Sequence, residues 1–200
     1  MSGRRLAVIA LGATLVVAIG WVLFSALGRR LAEPTPDAEP TTTPALAPAS
    51  AGPQIAATLY FVSEDGASLV GVAADVPLGD TPVAQARALV EAQLAAEPPP
   101  PLARAVPAGV TLRGVFLPGG DDAYVDLDAT VRTAVPGGSH NELMAVYAIV
   151  SLLTTNLSPI TRVQILVDGR EVDTLTGHVD LREPLRKNDG LIRTPLIPTP

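Results

Sequence analysis

The feature that most constrains this chain is an uncharged apolar run at residues 6–27, which lies between the basic pairs Arg4-Arg5 and Arg29-Arg30. A helix rises about 1.5 Å per residue, and roughly 20 apolar residues cross a hydrocarbon core of about 30 Å. The run is therefore long enough to span a bilayer once. Trp21 and the arginines lie near its ends, where interfacial anchors are expected. We predict a transmembrane signal anchor over residues 1–31.

The orientation of this anchor follows from its short basic N-terminus, which usually stays in the cytoplasm. The rest of the chain is then expected on the periplasmic, or extracytoplasmic, side of the inner (cytoplasmic) membrane. The alternative is a cleaved signal peptide, because Ala26-Leu27-Gly28 places small residues where signal peptidase reads them. The run exceeds the usual h-region of roughly 7 to 15 residues, which favours the anchor. Both alternatives export the domain. The sequence does not decide whether the chain is cleaved after Gly28.

A linker follows the anchor, over residues 32–54, and it is rich in proline, alanine and threonine. Proline fixes φ, lacks an N–H and biases the preceding residue away from the helical region. This segment is therefore predicted to be a disordered, extended spacer. The part that can fold is residues 55–186, about 130 residues, which suits a single domain. We predict that residues 187–200 form a flexible tail.

Charge and cysteine content exclude several classes of function. From Ile55 onward the sequence has 10 Lys and Arg against 17 Asp and Glu, and it has no basic patch with interleaved aromatic residues. Nucleic-acid binding is therefore not expected. The chain has no cysteine. This excludes disulfides, thiolate catalysis and lipid attachment at a cysteine.

Alternating apolar residues bounded by turn residues predict three hairpins. The third is joined by Asp168-Gly169, a type I′ turn signal. The paired segments are residues 55–62 with 69–74, 111–117 with 123–127, and 163–167 with 171–175.

Two helices are predicted between the hairpins. Thr81-Pro82 offers an N-cap followed by proline at the first helical position, and this helix ends before Pro98. Ser139 and Glu142 match a capping box, in which each side chain satisfies a free backbone N–H, and this second helix ends before Pro159. The apolar stripes are Val83, Ala86, Val90 and Leu94 in the first helix, and Leu143, Val146, Tyr147, Val150, Leu153 and Leu157 in the second.

The order β-β-α-β-β-α-β-β predicts an α+β fold. We expect a largely antiparallel sheet with both helices packed on one face, preceded by the transmembrane helix and the disordered linker.

Five short segments together resemble the GerM family, whose domain is called GerMN. They are residues 59–62 (LYFV), 106–112 (VPAGVTL), 124–127 (YVDL), 163–169 (VQILVDG) and 177–185 (GHVDLREPL). The resemblance assigns residues 55–186 to a GerMN domain. It implies an exported, membrane-associated bacterial protein of spore formation, germination or cell-envelope assembly. It offers no catalytic residues, and a single domain without cysteine departs from the lipid-modified tandem arrangement of the name-giving member.

His140 and His178 are the candidate catalytic histidines of the sequence. Ser139-His140 lacks the strand-turn-helix setting of a nucleophile, so capping is the favoured interpretation. His178 with Asp180, near Asp168 and Asp173, is the most site-like group. Because Gly177 marks a turn and Asp180 can accept from local backbone N–H groups, a satisfied turn is favoured over a ligand site.

A group of four acidic residues, Asp121, Asp122, Asp126 and Asp128, is a candidate cation site. Strand alternation predicts Asp126 and Asp128 on the solvent face, with Val125 and Leu127 inward. Residues 156–158 match an N-glycosylation sequon, but we expect no glycosylation there because Pro159 follows it. The sequence therefore predicts no catalytic, cofactor or metal residue.

We accordingly expect a non-enzymatic, membrane-anchored interaction module of the bacterial cell envelope. Its expected partners are the inner membrane, through residues 6–27, and one or more envelope proteins. A homo-oligomer through the single domain is a natural substitute for a tandem copy. The alternative is a domain that binds a small ligand or a peptidoglycan fragment, which would need a concave pocket with convergent polar groups.

Overall fold

A computed structural model of the chain describes residues 52–193. The predicted anchor at residues 6–27 and nearly all of the predicted linker lie outside this part, as do residues 194–200. Among the helices at residues 52–193, none combines the length and the apolar character needed to cross a membrane.

The described residues form an α+β fold, which confirms the predicted class. The strands are β1 (Gln54–Val62), β2 (Leu69–Pro77), β3 (Leu112–Phe116), β4 (Asp122–Leu127), β5 (Arg162–Val167), β6 (Arg170–Glu171), β7 (Leu185–Arg186) and β8 (Ile192–Arg193). The helices are α1 (Pro82–Ala95), α2 (Val131–Ala134) and α3 (Ser139–Asn156), with a 3-10 turn at Asp189–Leu191.

The strands form two mixed sheets, so the expectation of one largely antiparallel sheet is wrong. In the first sheet β1 and β2 form the predicted hairpin, and β8 runs parallel to β2 on its other side. In the second sheet β3 and β4 form the predicted hairpin, and β5 runs parallel to β4. The physical reason is the crossover through α3, because a connection of this length can return a strand in the same direction.

The end of the chain also differs from the prediction. The Asp168-Gly169 turn has positive φ at both residues, 51° and 74°, as a type I′ turn requires. The return strand, however, is only β6, much shorter than the predicted 171–175. After it β7 pairs with β5, and β8 pairs with β2. Residues 189–193, assigned to the tail from sequence, are ordered because Leu191 and Ile192 pack against the core.

The two long helices pack against each other and contact both sheets, α3 against β1 and β5 and α1 against β2 and β3. Because α3 has neighbours on several sides, its buried positions extend well beyond the predicted stripe. They are Glu142, Met144, Ala145, Val146, Ala148, Ile149, Val150, Ser151, Leu152 and Leu153.

The start of α1 is as predicted, whereas the start of α3 is not. Thr81 caps α1, and its Oγ1 accepts from the Ala84 N–H at 3.1 Å. At α3 the N-cap is Gly138, with φ 117°, and no side chain caps the helix. The predicted capping box of Ser139 and Glu142 is therefore wrong. Ser139 is the first helical residue, and the Glu142 carboxylate is held by a distant segment of the chain.

The outer edge of β1 is closed by side-chain amides from both long helices. Gln93 of α1 accepts from the Tyr60 N–H and donates to the Tyr60 carbonyl, both at 2.8 Å. Asn156 of α3, the asparagine of the sequon, does the same for Thr58 at 2.8 and 2.9 Å. Val62 exchanges two backbone hydrogen bonds with Ala103. These contacts satisfy groups that an exposed edge strand would offer to another chain.

Candidate functional site

In the structure His178 contacts the carboxylate of Glu142, which several donors hold in a buried clamp, and not the carboxylates of Asp168, Asp173 or Asp180 with which the sequence groups it. Glu142 is fully buried. Its Oε1 accepts from the backbone N–H groups of Leu175 and Thr176 at 2.7 and 3.0 Å. Its Oε2 accepts from Thr176 Oγ1 at 2.8 Å and from the His178 N–H at 2.9 Å, and His178 Nδ1 lies 3.2 Å away. The clamp joins the first turn of α3 to residues 175–178.

The pKa of Glu142 reflects this environment. Burial by itself would raise the pKa, but the hydrogen bonds from Thr176, Leu175 and His178 outweigh it and lower the pKa to about 2. Glu142 is therefore ionised near neutral pH. A carboxylate held in this way acts as a fixed acceptor, because it has no proton to donate in that range.

Asp180 is not joined to His178. Its Oδ1 accepts from the Arg182 N–H at 3.1 Å and from Arg182 Nε at 2.9 Å. The Arg182 guanidinium holds the pKa of Asp180 down at about 2. Asp168 instead lies 3.6 Å from Arg113 Nη1. Within residues 52–193, no three His, Asp or Glu side chains are grouped so as to hold a metal ion.

The acidic side chains at 121–128 do not converge on one point, because they have different partners. Asp121 and Asp122 both pair with Arg162, whose Nε lies 2.6 Å from Asp122 Oδ1. Asp128 accepts from Thr111 and Thr130. The carboxylates of Asp121, Asp122 and Asp128 thus bind other side chains of the same domain.

The prediction that Asp126 faces the solvent is wrong, because the residue is only 5% exposed. Its Oδ1 accepts from the Gly169 N–H at 2.7 Å, and Arg113 Nε donates to its Oδ2 at 3.2 Å. Alternation did place Asp126 opposite the core face, but the β5–β6 turn covers it there. This carboxylate fixes the position of that turn.

His140, the other histidine, is exposed, and its Nε2 contacts the Gly66 carbonyl in the β1–β2 turn. It lines a cavity of about 290 Å³ near the start of α3, together with Arg104 and Met144. The Arg104 guanidinium already donates to the carbonyls of Leu94 and Ala95 and to Glu97. Arg104 is therefore already engaged by contacts within the fold.

A larger groove, of about 490 Å³, lies between α2 and the β5–β6 turn. Two arginines, two acidic side chains and three aliphatic side chains line it. The lining residues are Ala129, Arg132, Val167, Asp168, Arg170, Glu171 and Val172. Asp126 and Arg113 hold the β5–β6 turn in place, so this side of the groove is preorganised.

The second sheet also presents an apolar surface on the side opposite the core. Phe116 is 55% exposed, and its ring lies over Gly114, where an added Cβ would be 3.0 Å from Phe116 Cζ. Tyr124 lies opposite Phe116 in the β3–β4 register, and Leu166 projects to the same side from β5. Tyr124 and Leu166 are half-buried. We call Phe116, Tyr124 and Leu166 the aromatic face.

Comparison with known proteins identifies the family. The Germane family, described as sporulation and spore germination, has a model that matches residues 58–173, more than half of the chain. The chain belongs to the Germane family. This confirms the resemblance of its sequence motifs to GerMN domains. No curated protein matches the sequence.

One solved structure, with a TM-score above 0.5, shows that the Germane-family chain has a GerMN-like fold. The tandem GerMN domains of the sporulation protein GerM from Bacillus subtilis match with 20% identity and a TM-score of 0.53. The match covers 67% of this chain and 46% of that structure, so this chain spans about half its length. The first GerMN domain of the same protein matches with 19% identity and a TM-score of 0.49, covering 67% of this chain and 96% of that domain.

Sequence reasoning missed both the groove and the aromatic face. Arg170 follows the Asp168-Gly169 turn directly, so the turn signal did indicate where one arginine of the groove lies. Nothing in the sequence places Arg132 beside it, because the two residues are far apart in the chain and line one groove only in the folded structure.

Proposed function

We propose that this Germane-family chain is a non-enzymatic protein-binding domain, tethered by residues 6–27 to the outer side of the cytoplasmic membrane. The observation that carries the proposal is the aromatic face. A large aromatic side chain that is 55% exposed, beside a tyrosine and a leucine, has the composition found at the centres of protein interfaces. The ion pair of Arg162 with Asp122 lies on the same sheet, next to Tyr124, and supplies polar groups beside the aromatic face.

The use of the titratable groups also supports a binding role. Hydrolytic chemistry needs an acid, a base or a metal-bound water aimed at an open site. Glu142, Asp126 and Asp180 instead accept hydrogen bonds that hold segments of the fold together. Each of these three carboxylates therefore has a structural contact that accounts for its position.

The proposed location rests on the sequence of the first 31 residues. The apolar run is long enough to span, and its basic N-terminus favours a cytoplasmic start. Proline-rich residues 32–53 would let the domain stand away from the bilayer.

Recovery of a partner from cross-linked cells tests the proposal. Full-length tagged protein is expected in the membrane fraction, together with at least one co-purifying envelope protein. Phe116→Ser is expected to reduce that recovery by about thirtyfold, as loss of a central interface residue costs about 2 kcal/mol. Val83→Ser is the matched control, because Val83 is 41% exposed on α1 and outside the aromatic face.

Two results would contradict the proposal. One is a tagged protein that is soluble and lacks residues 1–28. The other is equal recovery of the partner with Phe116→Ser and with the unaltered chain.

A further inference from the structure

The basic side chains of the domain are unevenly paired. Of its ten Lys and Arg, seven form ion pairs with carboxylates. Within residues 52–193, three arginines have no carboxylate partner: Arg132, Arg170 and Arg186. Two of these three, Arg132 and Arg170, line the same groove of about 490 Å³. Acidic residues outnumber basic ones in the domain, yet these two arginines pair with none of them.

Both groove arginines project from elements that are held in place. Arg170 follows the type I′ turn, which Asp126 fixes through the Gly169 N–H at 2.7 Å. Arg132 lies on α2, and its Nη2 is 3.5 Å from the Thr174 carbonyl oxygen. Both side chains are exposed. A ligand can therefore reach the guanidinium groups without displacing an ion pair.

The acidic and aliphatic side chains of the groove indicate which chemical class of ligand it can bind. Asp168 lies 3.6 Å from Arg113 Nη1, so its charge is partly countered. Glu171 also lines the groove, and its negative charge disfavours the two charges concentrated on one phosphate more than two carboxylates spaced along a peptide. Val167, Val172 and Ala129 offer aliphatic contact to the stem of a side chain. Guanidinium groups pair well with planar carboxylates.

We propose that this groove binds a carboxylate-bearing peptide segment, with Arg132 and Arg170 pairing to its acidic side chains. The inference rests on the proposed function in taking the ligand to be part of a protein. It concerns different residues from the aromatic face, so each proposal can fail by itself.

Calorimetric titration of the purified full-length protein in detergent micelles tests the groove. The probes are acetyl-Ala-Glu-Glu-Ala-amide, the same peptide with Gln for Glu, and inorganic phosphate. The Glu peptide is expected to bind at least about tenfold more tightly than the other two probes, and its affinity should fall as salt is added. Arg132→Gln and Arg170→Gln should each weaken binding of the Glu peptide by about tenfold.

Arg186→Gln is the matched control, because Arg186 is also exposed, also lacks a carboxylate partner in the described part of the chain, and lies on β7 outside the groove. It should leave the affinity unchanged. The proposal is overturned if the Gln peptide binds as tightly as the Glu peptide, or if Arg186→Gln weakens binding as much as the groove variants. Equal affinity for phosphate overturns the assignment to a peptide. None of these outcomes changes the recovery expected for Phe116→Ser.

Discussion

Replacing Glu142 by Gln is expected to lower the free energy of unfolding by about 3 kcal/mol, although the side chain keeps its size. The Glu142 carboxylate is fully buried and accepts from Leu175, Thr176 and His178. An amide places an NH₂ group against some of these donors, so buried N–H and O–H groups lose their acceptor. Each unsatisfied buried group costs about 1–3 kcal/mol, and bonds to a charged acceptor are the stronger ones.

Thermal and urea unfolding of the full chain in micelles measure this effect, with an expected fall in Tm of about 10 °C. Ser139→Ala is the control from the same turn of α3. The sequence predicts that Ser139 caps the helix, but the structure shows no side-chain cap there, so its substitution should change stability by less than about 0.5 kcal/mol. A large loss with Ser139→Ala and a small one with Glu142→Gln would contradict the clamp.

The clamp also predicts a pH dependence. The pKa of Glu142 lies near 2 in the folded protein, against an ordinary value of 4.5. Because folding depresses this pKa, the stabilisation is fully present above about pH 4.5 and is lost as the pH falls toward 2. Other carboxylates contribute to acid unfolding, so the comparison isolates Glu142: stability should fall less between pH 5 and about pH 2.5 in Glu142→Gln than in the unaltered chain.

Replacing Gln93 by Leu is the second substitution with a large expected effect, about 2 to 4 kcal/mol. Gln93 is 3% exposed, and its amide satisfies both the N–H and the carbonyl of Tyr60 at 2.8 Å. Leucine has a similar volume but no polar atoms. Two buried backbone groups would then lose their partners, each at a cost of about 1–3 kcal/mol.

Urea unfolding measures the loss, and Gln54→Leu is the matched control. Gln54 is exposed at the start of β1, so its substitution should be neutral within about 0.5 kcal/mol. Opening the edge of β1 is also expected to promote aggregation of the Gln93→Leu protein, which light scattering would detect. Equal stability of the two variants would show that the Gln93 amide does not hold the edge.

The features that the sequence predicts well depend on neighbouring residues. Thr81-Pro82 starts α1 as expected, because a cap needs only the N–H three residues later. Asp168-Gly169 forms its type I′ turn because Asp and Gly tolerate positive φ. Hairpins between adjacent segments follow from alternation and turn residues for the same reason.

The features that the sequence does not predict depend on distant residues. Glu142 matches a capping box locally, yet its carboxylate finds donors more than thirty residues away at 175–178. Asp126 lies opposite the core face as alternation requires, but the β5–β6 turn buries it. The parallel pairing of β4 with β5 also needs the crossover of α3, which a list of strands does not specify. The groove arises from such contacts, so only the folded chain reveals it.

The most direct test of the proposed protein-binding role places a photo-crosslinking residue at the aromatic face in cells. The full-length chain would carry p-benzoylphenylalanine at position 116 or, as a control, at position 83 on α1. We expect a discrete cross-linked adduct with another envelope protein from position 116 and none from position 83. No adduct from position 116, or the same adducts from both positions, would contradict the proposed role.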